Sequence, residues 1–530
     1  MTSNKWGAVT KIIGFIQVVG LCLAAPSLAE VVAYPQVPGL SSSPTYSMTV
    51  NGTPVPVQSY SGNSFAWFAF SGTANVVVTV NASVSTYTLS PLRNATSSFK
   101  SGATVNFSLS VPRKLALHKV NAIAEKLFIF GDALESSPPI LGSAGVLNVQ
   151  TYGADPTGSA VSTTAINNCI TAVNVAGGGV CFVPAGLYTS NAAILLKANA
   201  NLYLAPGAVI KNLAGSYTNR VTVHINAQNN VTISGRGVFY GNGTNGANSF
   251  HLMEVGAASG AVDSFTLRDV MLLDSQSTGL VVGQASNATV ENVKILSGSP
   301  SLSDGIDTDA VTNLLVTRCF IWSSDDNLAP GGGAGQFKYN ATDDKTDGYT
   351  ITQSLFYHTR TGHILSVIPH IGPPYIQNIL FENNDSISVA DGFAMLAAAG
   401  PVDINHVIIR NSRVEEVRRL AIEMYSVDFM TGWGGCANGF CSSDSGKIRS
   451  ITFDNVIFDT AGTTVGQLVG RSATQNIDTI TFNAVSVAGT LATNAATAHL
   501  NIGDFVSNVI FTNVASGTVG PSAPVNLQIP

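Results

Sequence analysis

The chain has 530 residues, of which 45% are hydrophobic and 11% charged, with 51 glycines and a formal net charge of −6. That length exceeds one ordinary compact domain, so two domains or one elongated architecture are expected. The low charge excludes a disordered chain and a nucleic-acid-binding one, and the mild acidity names no partner.

The first 29 residues read as a secretory leader. Lys5 and Lys11 form a weak basic region, Ile12 to Ala25 is apolar, and Ser27-Leu28-Ala29 offers the small residues a signal peptidase needs. The apolar stretch is shorter than the roughly 20 residues that span a bilayer. An uncleaved anchor is the alternative; with the leader removed, no membrane association is expected, and the protein is expected outside the cell or in a periplasm. Export suits the cysteines. Cys169 and Cys181 flank Gly177-Gly178-Gly179, and Cys436 and Cys441 flank a glycine-containing turn, so each pair can bridge locally. Cys319 is left over as a buried free thiol.

Residues 30–143 show short β-rich segments between turn signals. Tyr46 to Val50 runs into Asn51-Gly52, a strong hairpin signal, and Phe65–Phe70, Val76–Val80 and Val105–Val111 continue the series. This predicts a small antiparallel β-sandwich, with Glu135 to Pro139 as the linker. The sandwich either binds carbohydrate or shields the open end of the C-terminal region.

Residues 144–530 carry a repeat. One apolar position recurs at Ile233, Leu267, Val290, Val316, Ile351, Phe381, Ile409, Phe453, Phe482 and Phe511, with short intervals of 23 and 26 residues and longer ones where a loop is inserted. A unit of two dozen residues cannot bury its apolar face alone, so such units must stack. The period is too short for a propeller blade of four strands. The fold expected is all-β: a right-handed parallel β-helix preceded by the sandwich, with the recurring Asn residues forming a turn ladder.

Two acidic segments stand out in the repeat. Asp304 lies in Ser303-Asp304-Gly305-Ile306-Asp307, and Asp325-Asp326 come 21 residues after Asp304, about one coil away. Residues one coil apart sit above one another, so these acids should share a cleft, provided the chain bends at the Asp pair. Cleavage of a glycosidic bond needs one protonated carboxyl and one ionised carboxylate. Crowded acids supply that asymmetry by repulsion. The plainer reading makes them turn residues. His363, in Thr361-Gly362-His363-Ile364, falls on the next coil and is the candidate tuning partner. His118, His251 and His499 read as structural. Asp307, Arg360, Trp322, Trp433 and Tyr425 are candidate substrate contacts, the aromatics as flat apolar surfaces for sugar rings. The irregular spacing of His358, His363 and His370 argues against a metal site, and no metal or cofactor is expected.

On these residues, the chain resembles the polygalacturonase family, glycoside hydrolase family 28, over roughly Leu147 to Phe453. Tyr152-Gly153-Ala154-Asp155, Val183-Pro184-Ala185-Gly186-Leu187-Tyr188 and the Gly235 to Gly243 stretch are similar to its opening coils; Asp304-Gly305-Ile306-Asp307 and Asp325-Asp326 match its catalytic motifs. Ile364 departs from its Gly-His-Gly motif. The resemblance implies that Asp325 is the general acid, that Asp304 and Asp326 activate water with inversion at the anomeric carbon, and that His363 supports Asp325. The family's Arg-x-Lys pair, which grips a galacturonate carboxylate, is matched here by Gly392-Phe393-Ala394-Met395-Leu396, without a cation. Either Arg360 or Arg418 substitutes, or the sugar is neutral, as for the more distantly similar dextranase and isopullulanase family. The partner expected is a polysaccharide, and the protein a monomer. A β-elimination lyase and a non-catalytic carbohydrate-binding solenoid are the other readings.

Overall fold

The computed structural model describes residues 1–2, 29–93, 95–213, 221–243, 251–256, 261–275, 277–298, 303–331, 345–369, 375–397, 402–426 and 446–513. Residues 3–28 of the leader, Trp433, Cys436, Cys441 and His370 lie outside the described residues. No described helix is long and apolar enough to cross a membrane.

Residues 31–133 form two packed sheets. The hairpin at Asn51-Gly52 is present, with both residues at positive φ, joining Tyr46–Val50 to Thr53–Val55. The pairing is antiparallel with one exception: Leu127–Ala133 runs parallel to Asn63–Phe70. That pairing corrects the purely antiparallel expectation. It places the apolar run Leu127-Phe128-Ile129-Phe130 mid-sheet, where both faces are covered and alternation is not required.

From Val146 onward the chain winds as a parallel β-helix of three faces. The recurring apolar position forms one continuous inward column, each residue in register with the next from Ile233 through Leu267, Val290 and Val316 to Phe511. At its end Phe453, Phe482 and Phe511 stack with ring centroids 5.3 and 5.0 Å apart, close to the ~4.8 Å spacing of paired strands. The helix Thr163–Val175 covers the first coil and is tied to it by the Cys169–Cys181 disulfide. Cys319 is the buried free thiol anticipated.

Left-handed residues mark two of the three corners. Asp269, Asn292, Arg318, Gln353, Asn383, Asn411 and Asn455 have φ between 48° and 72° at one corner; Asn287, Asn313, Asn378 and Asn508 do the same at another. Asn tolerates this conformation because its short amide hydrogen-bonds locally. The amides also join rung to rung, as in Asn292 Nδ2 to Asp269 Oδ1 (2.8 Å) and Asn313 Nδ2 to Asn287 Oδ1 (3.1 Å). This is the predicted turn ladder. The third corner, between Phe320–Ser323 and Leu328–Pro330, carries the acidic residues, and the longer gaps follow the next strand, as between Pro330 and Thr346.

The N-terminal sheets lie against the outer face of one solenoid sheet. Phe65, Trp67, Phe128 and Phe130 pack on Met271, Leu296, Phe320, Trp322 and Tyr357 in one buried cluster. An ionic group is sealed within this contact. Asp132 accepts from Lys294 Nζ, Trp67 Nε1 (2.7 Å) and Arg236 Nη1 (3.3 Å), with Lys114 3.9 Å away. Burial alone would raise the Asp132 carboxyl, but Lys294, Lys114 and Arg236 outweigh it and hold it far below the ordinary range.

Candidate active site

The strand Phe320–Ser323 ends at the third corner, and the chain turns there through Ser324, Asp325, Asp326 and Asn327 before resuming as Leu328–Pro330. Asn327 fixes the turn. Its amide donates to Ile321 O (3.2 Å), Ser323 Oγ (2.8 Å) and Tyr357 O (3.2 Å). Because the bend falls between strands, both acids escape the in-out alternation that would bury one of them. Asp304 stands directly over Asp326: Gly305 N donates to Asp326 O (2.8 Å), and Asp326 N donates to Asp304 Oδ1 (2.9 Å). One oxygen from each of Asp304, Asp325 and Asp326 lies within 4.8 Å of the others.

The next coil closes on this turn through Gly362. Its φ is +90°, and a β-carbon there would stand 2.2 Å from Asp325 C, so only glycine lets Thr361 and His363 press against the Asp325-Asp326 peptide. Thr361 Oγ1 donates to Asp325 Oδ1 at 3.5 Å, a long contact. His363 donates its backbone N–H to Asp326 Oδ1 (2.6 Å) and brings Nδ1 to 3.0 Å from the same oxygen. His363 therefore bears on Asp326 rather than on Asp325, the partner that the resemblance assigned to it.

The acids are electrostatically unequal. Burial and the neighbouring Asp326 push Asp325 up to about 6. Burial acts on Asp326 too, but the His363 hydrogen bonds and charge outweigh it and hold this carboxyl below the usual range. Asp304 is raised well above it by burial and then by Asp307, Asp326 and Asp325. Asp307, one strand position beyond this corner, is raised to about 8, chiefly by burial; its Oδ2 accepts from Thr278 Oγ1 (2.7 Å), while Oδ1 has no partner among the described residues.

The substrate-contact candidates divide. Trp322 is fully buried under the N-terminal sheets, its ring 5.2 Å from Phe128 and 5.3 Å from Tyr60. It is interface core and cannot stack on a sugar, which corrects the expectation. Its outward strand position resembled a platform only because the sequence does not show which face the sandwich covers. Tyr425 is half-buried at the end of Val417–Tyr425, two residues beyond Glu423, with its phenol raised to about 12 by burial. Arg360 is exposed next to Thr361. Arg418 is committed to the backbone, donating to His358 O (3.0 Å) and Arg360 O (2.8 Å). The stretch Gly392 to Leu396 is wholly buried within Val389–Leu396.

Three residues at this site were not anticipated from the sequence. Glu423 Oε1 lies 2.7 Å from His363 Nε2. Asp391, in register with His363 on the next coil, is buried and receives Arg419 Nε at 2.8 Å. The available signal was a charged residue at alternate positions of apolar strands, Asp391 in Val389-Ala390-Asp391 and Glu423 in Ala421-Ile422-Glu423-Met424.

Comparison with known proteins agrees with this architecture. Residues 146–362 match the family model described as "Rhamnogalacturonase A/epimerase, pectate lyase-like". A search of curated proteins gave no match. Among solved structures, the chain is similar to a Family 28 exopolygalacturonase of Yersinia enterocolitica (TM-score 0.54, 15% identity, covering 83% of this chain and 94% of the other). It is also similar to a hyperthermoactive exopolygalacturonase of Thermotoga maritima (0.56, 15%, 71% and 93%) and to Dex49A of Penicillium minioluteum (0.51, 13%, 91% and 96%). The resemblance read from the motifs is thus borne out: residues 146–362 match a pectate lyase-like family, and the fold is the right-handed parallel β-helix of these polygalacturonases.

Proposed function

We propose that this protein is a secreted glycoside hydrolase that cleaves an extracellular polysaccharide, pectic in the leading reading, with inversion at the anomeric carbon. The observation that supports it most is the Asp304–Asp325–Asp326 group, three carboxyls converging at one corner with their proton affinities pushed apart. Asp325 donates its proton to the leaving oxygen. Asp326, the member held ionised, takes a proton from the attacking water, which Asp304 helps to hold. The named activities of the similar proteins, exopolygalacturonases among them, favour the same class.

The test is the release of reducing ends from polygalacturonate, rhamnogalacturonan, dextran and pullulan, with no hydrolysis on any of the four counting against the proposal. Nearest oxygens within 4.8 Å are closer than the ~6.5–9.5 Å usual for inverting pairs, so inversion rests on the family resemblance. The anomer of the first product, read by proton NMR, decides it.

The neutral α-glucan reading is favoured by one feature, the burial of Gly392 to Leu396, which offers no cation where a galacturonate carboxylate would bind. Arg360 separates the two readings. If the sugar is a uronate, Arg360→Ala should lower kcat/KM on polygalacturonate roughly tenfold or more, the scale of one charge-assisted hydrogen bond. An unchanged rate on every hydrolysed substrate would instead favour a neutral sugar.

The same pair of acids dictates a pH profile. The acid must keep its proton, so kcat/KM should fall as pH rises through about 6. The base must be ionised, so the acid limb should lie below about 4, under the ordinary carboxylate value. A plateau reaching pH 8 would contradict this assignment.

A further inference from the structure

His363 has a carboxylate at each end. Asp326 Oδ1 lies 3.0 Å from Nδ1 and Glu423 Oε1 lies 2.7 Å from Nε2, with His363 and Glu423 both buried. A neutral imidazole carries one N–H. In either neutral tautomer, then, one ring nitrogen would meet a carboxylate oxygen with no proton of its own to offer. With both nitrogens protonated, both contacts become charge-assisted hydrogen bonds.

We propose that Glu423 is a positioning residue that fixes His363 as a doubly protonated ring and so holds it, charged, against Asp326. This rests on the reading of Asp326 as the general base. The two carboxylates outweigh burial, which alone would favour the neutral ring, and lift His363 to about 10. The other charged or titratable groups around the ring are Asp325, the buried His358, and Asp391, whose charge is met by Arg419. Glu423 also sets geometry. It stands in register with Ala394 on one coil and Gln467 on the next, so the rigid sheet fixes the ring plane from the side opposite the acids. The neutral Ala394 leaves Glu423 without a competing cation on the strand between it and His363.

The experiment is 15N NMR of the protein labelled at its 8 histidines, with the His363 signal identified by its loss in His363→Gln. At pH 8 the parent ring is expected to carry protons on both nitrogens. Glu423→Gln keeps a hydrogen-bond acceptor of the same size and removes the charge. In that variant His363 should lose one proton between about pH 6 and pH 8, nearer the ordinary histidine value. Its kcat on whichever substrate the panel identifies should fall on the order of tenfold, part of the 10²–10⁴ that a general base contributes, with the thermal midpoint little changed. A neutral His363 in the parent at pH 8, with the shared proton on Glu423 instead, would overturn the proposal. So would a variant ring that keeps both protons. The parent measurement needs no substrate, and its assignment needs only that His363→Gln folds. Absence of hydrolysis across the panel with a charged His363 would remove the proposed function and leave this assignment standing.

Discussion

Asp325→Asn is expected to lower kcat by about 10²–10⁴ without loss of the fold. Among the described residues the Asp325 side chain makes one long hydrogen bond, from Thr361, while its backbone N–H is held by Ser303 O at 3.1 Å. Asn fills the same space and keeps that backbone bond. It also removes one negative charge from a crowded group, so thermal unfolding should be unshifted or slightly raised, as expected where a functional charge is held against repulsion. Reducing-end release and a thermal melt on the same preparation give both values. Retention of more than about a tenth of the parent rate would exclude Asp325 as the general acid. Asp326→Asn is a poorer probe, because Asp326 also anchors the His363 backbone and ring.

The largest expected loss of stability lies elsewhere. Asp132→Ala should cost about 3–5 kcal/mol, the usual consequence of stranding buried charge. Lys294 is fully buried, Arg236 nearly so, and both reach Asp132 across the contact between the N-terminal sheets and the solenoid. Without the carboxylate, Lys294 and Arg236 would be sealed together beside Lys114 with no common counter-ion. Denaturant unfolding, followed through the fluorescence of Trp67, whose Nε1 donates to Asp132, gives the midpoint. A shift of under 1 kcal/mol would mean that the contact opens and readmits water.

Much of the solenoid is legible because its register is written as a repeat. The column from Ile233 to Phe511 can be traced by eye, since an inward position must be apolar on every coil whatever the loop lengths between coils. The grouping of Asp304 with Asp325 and Asp326 is legible for the same reason: 21 residues is one rung. Glu423 is not. Sixty residues separate it from His363, with two inserted loops between them, so counting loses the coil. Trp322 misleads because an outward aromatic looks alike whether it faces a sugar or another domain. Its contacts with Tyr60 and Phe128 decide the matter, and they emerge only in three dimensions. The parallel pairing of Leu127–Ala133 with Asn63–Phe70 is likewise hidden, because it joins strands distant in sequence.

Closing the corner of Asn292, Arg318 and Asn383 with one left-handed residue leaves no slack there. Deleting Asn292 would slip a strand by one position and turn its core residues outward. Added or lost length falls instead at the corner that ends the strand following the acids. Pro330 and Thr346 are consecutive strand ends there, as are Tyr425 and Lys447. A lineage built on this frame can redraw the rim of its cleft by insertion alone, trying new polymers while the winding and its carboxyls stay untouched.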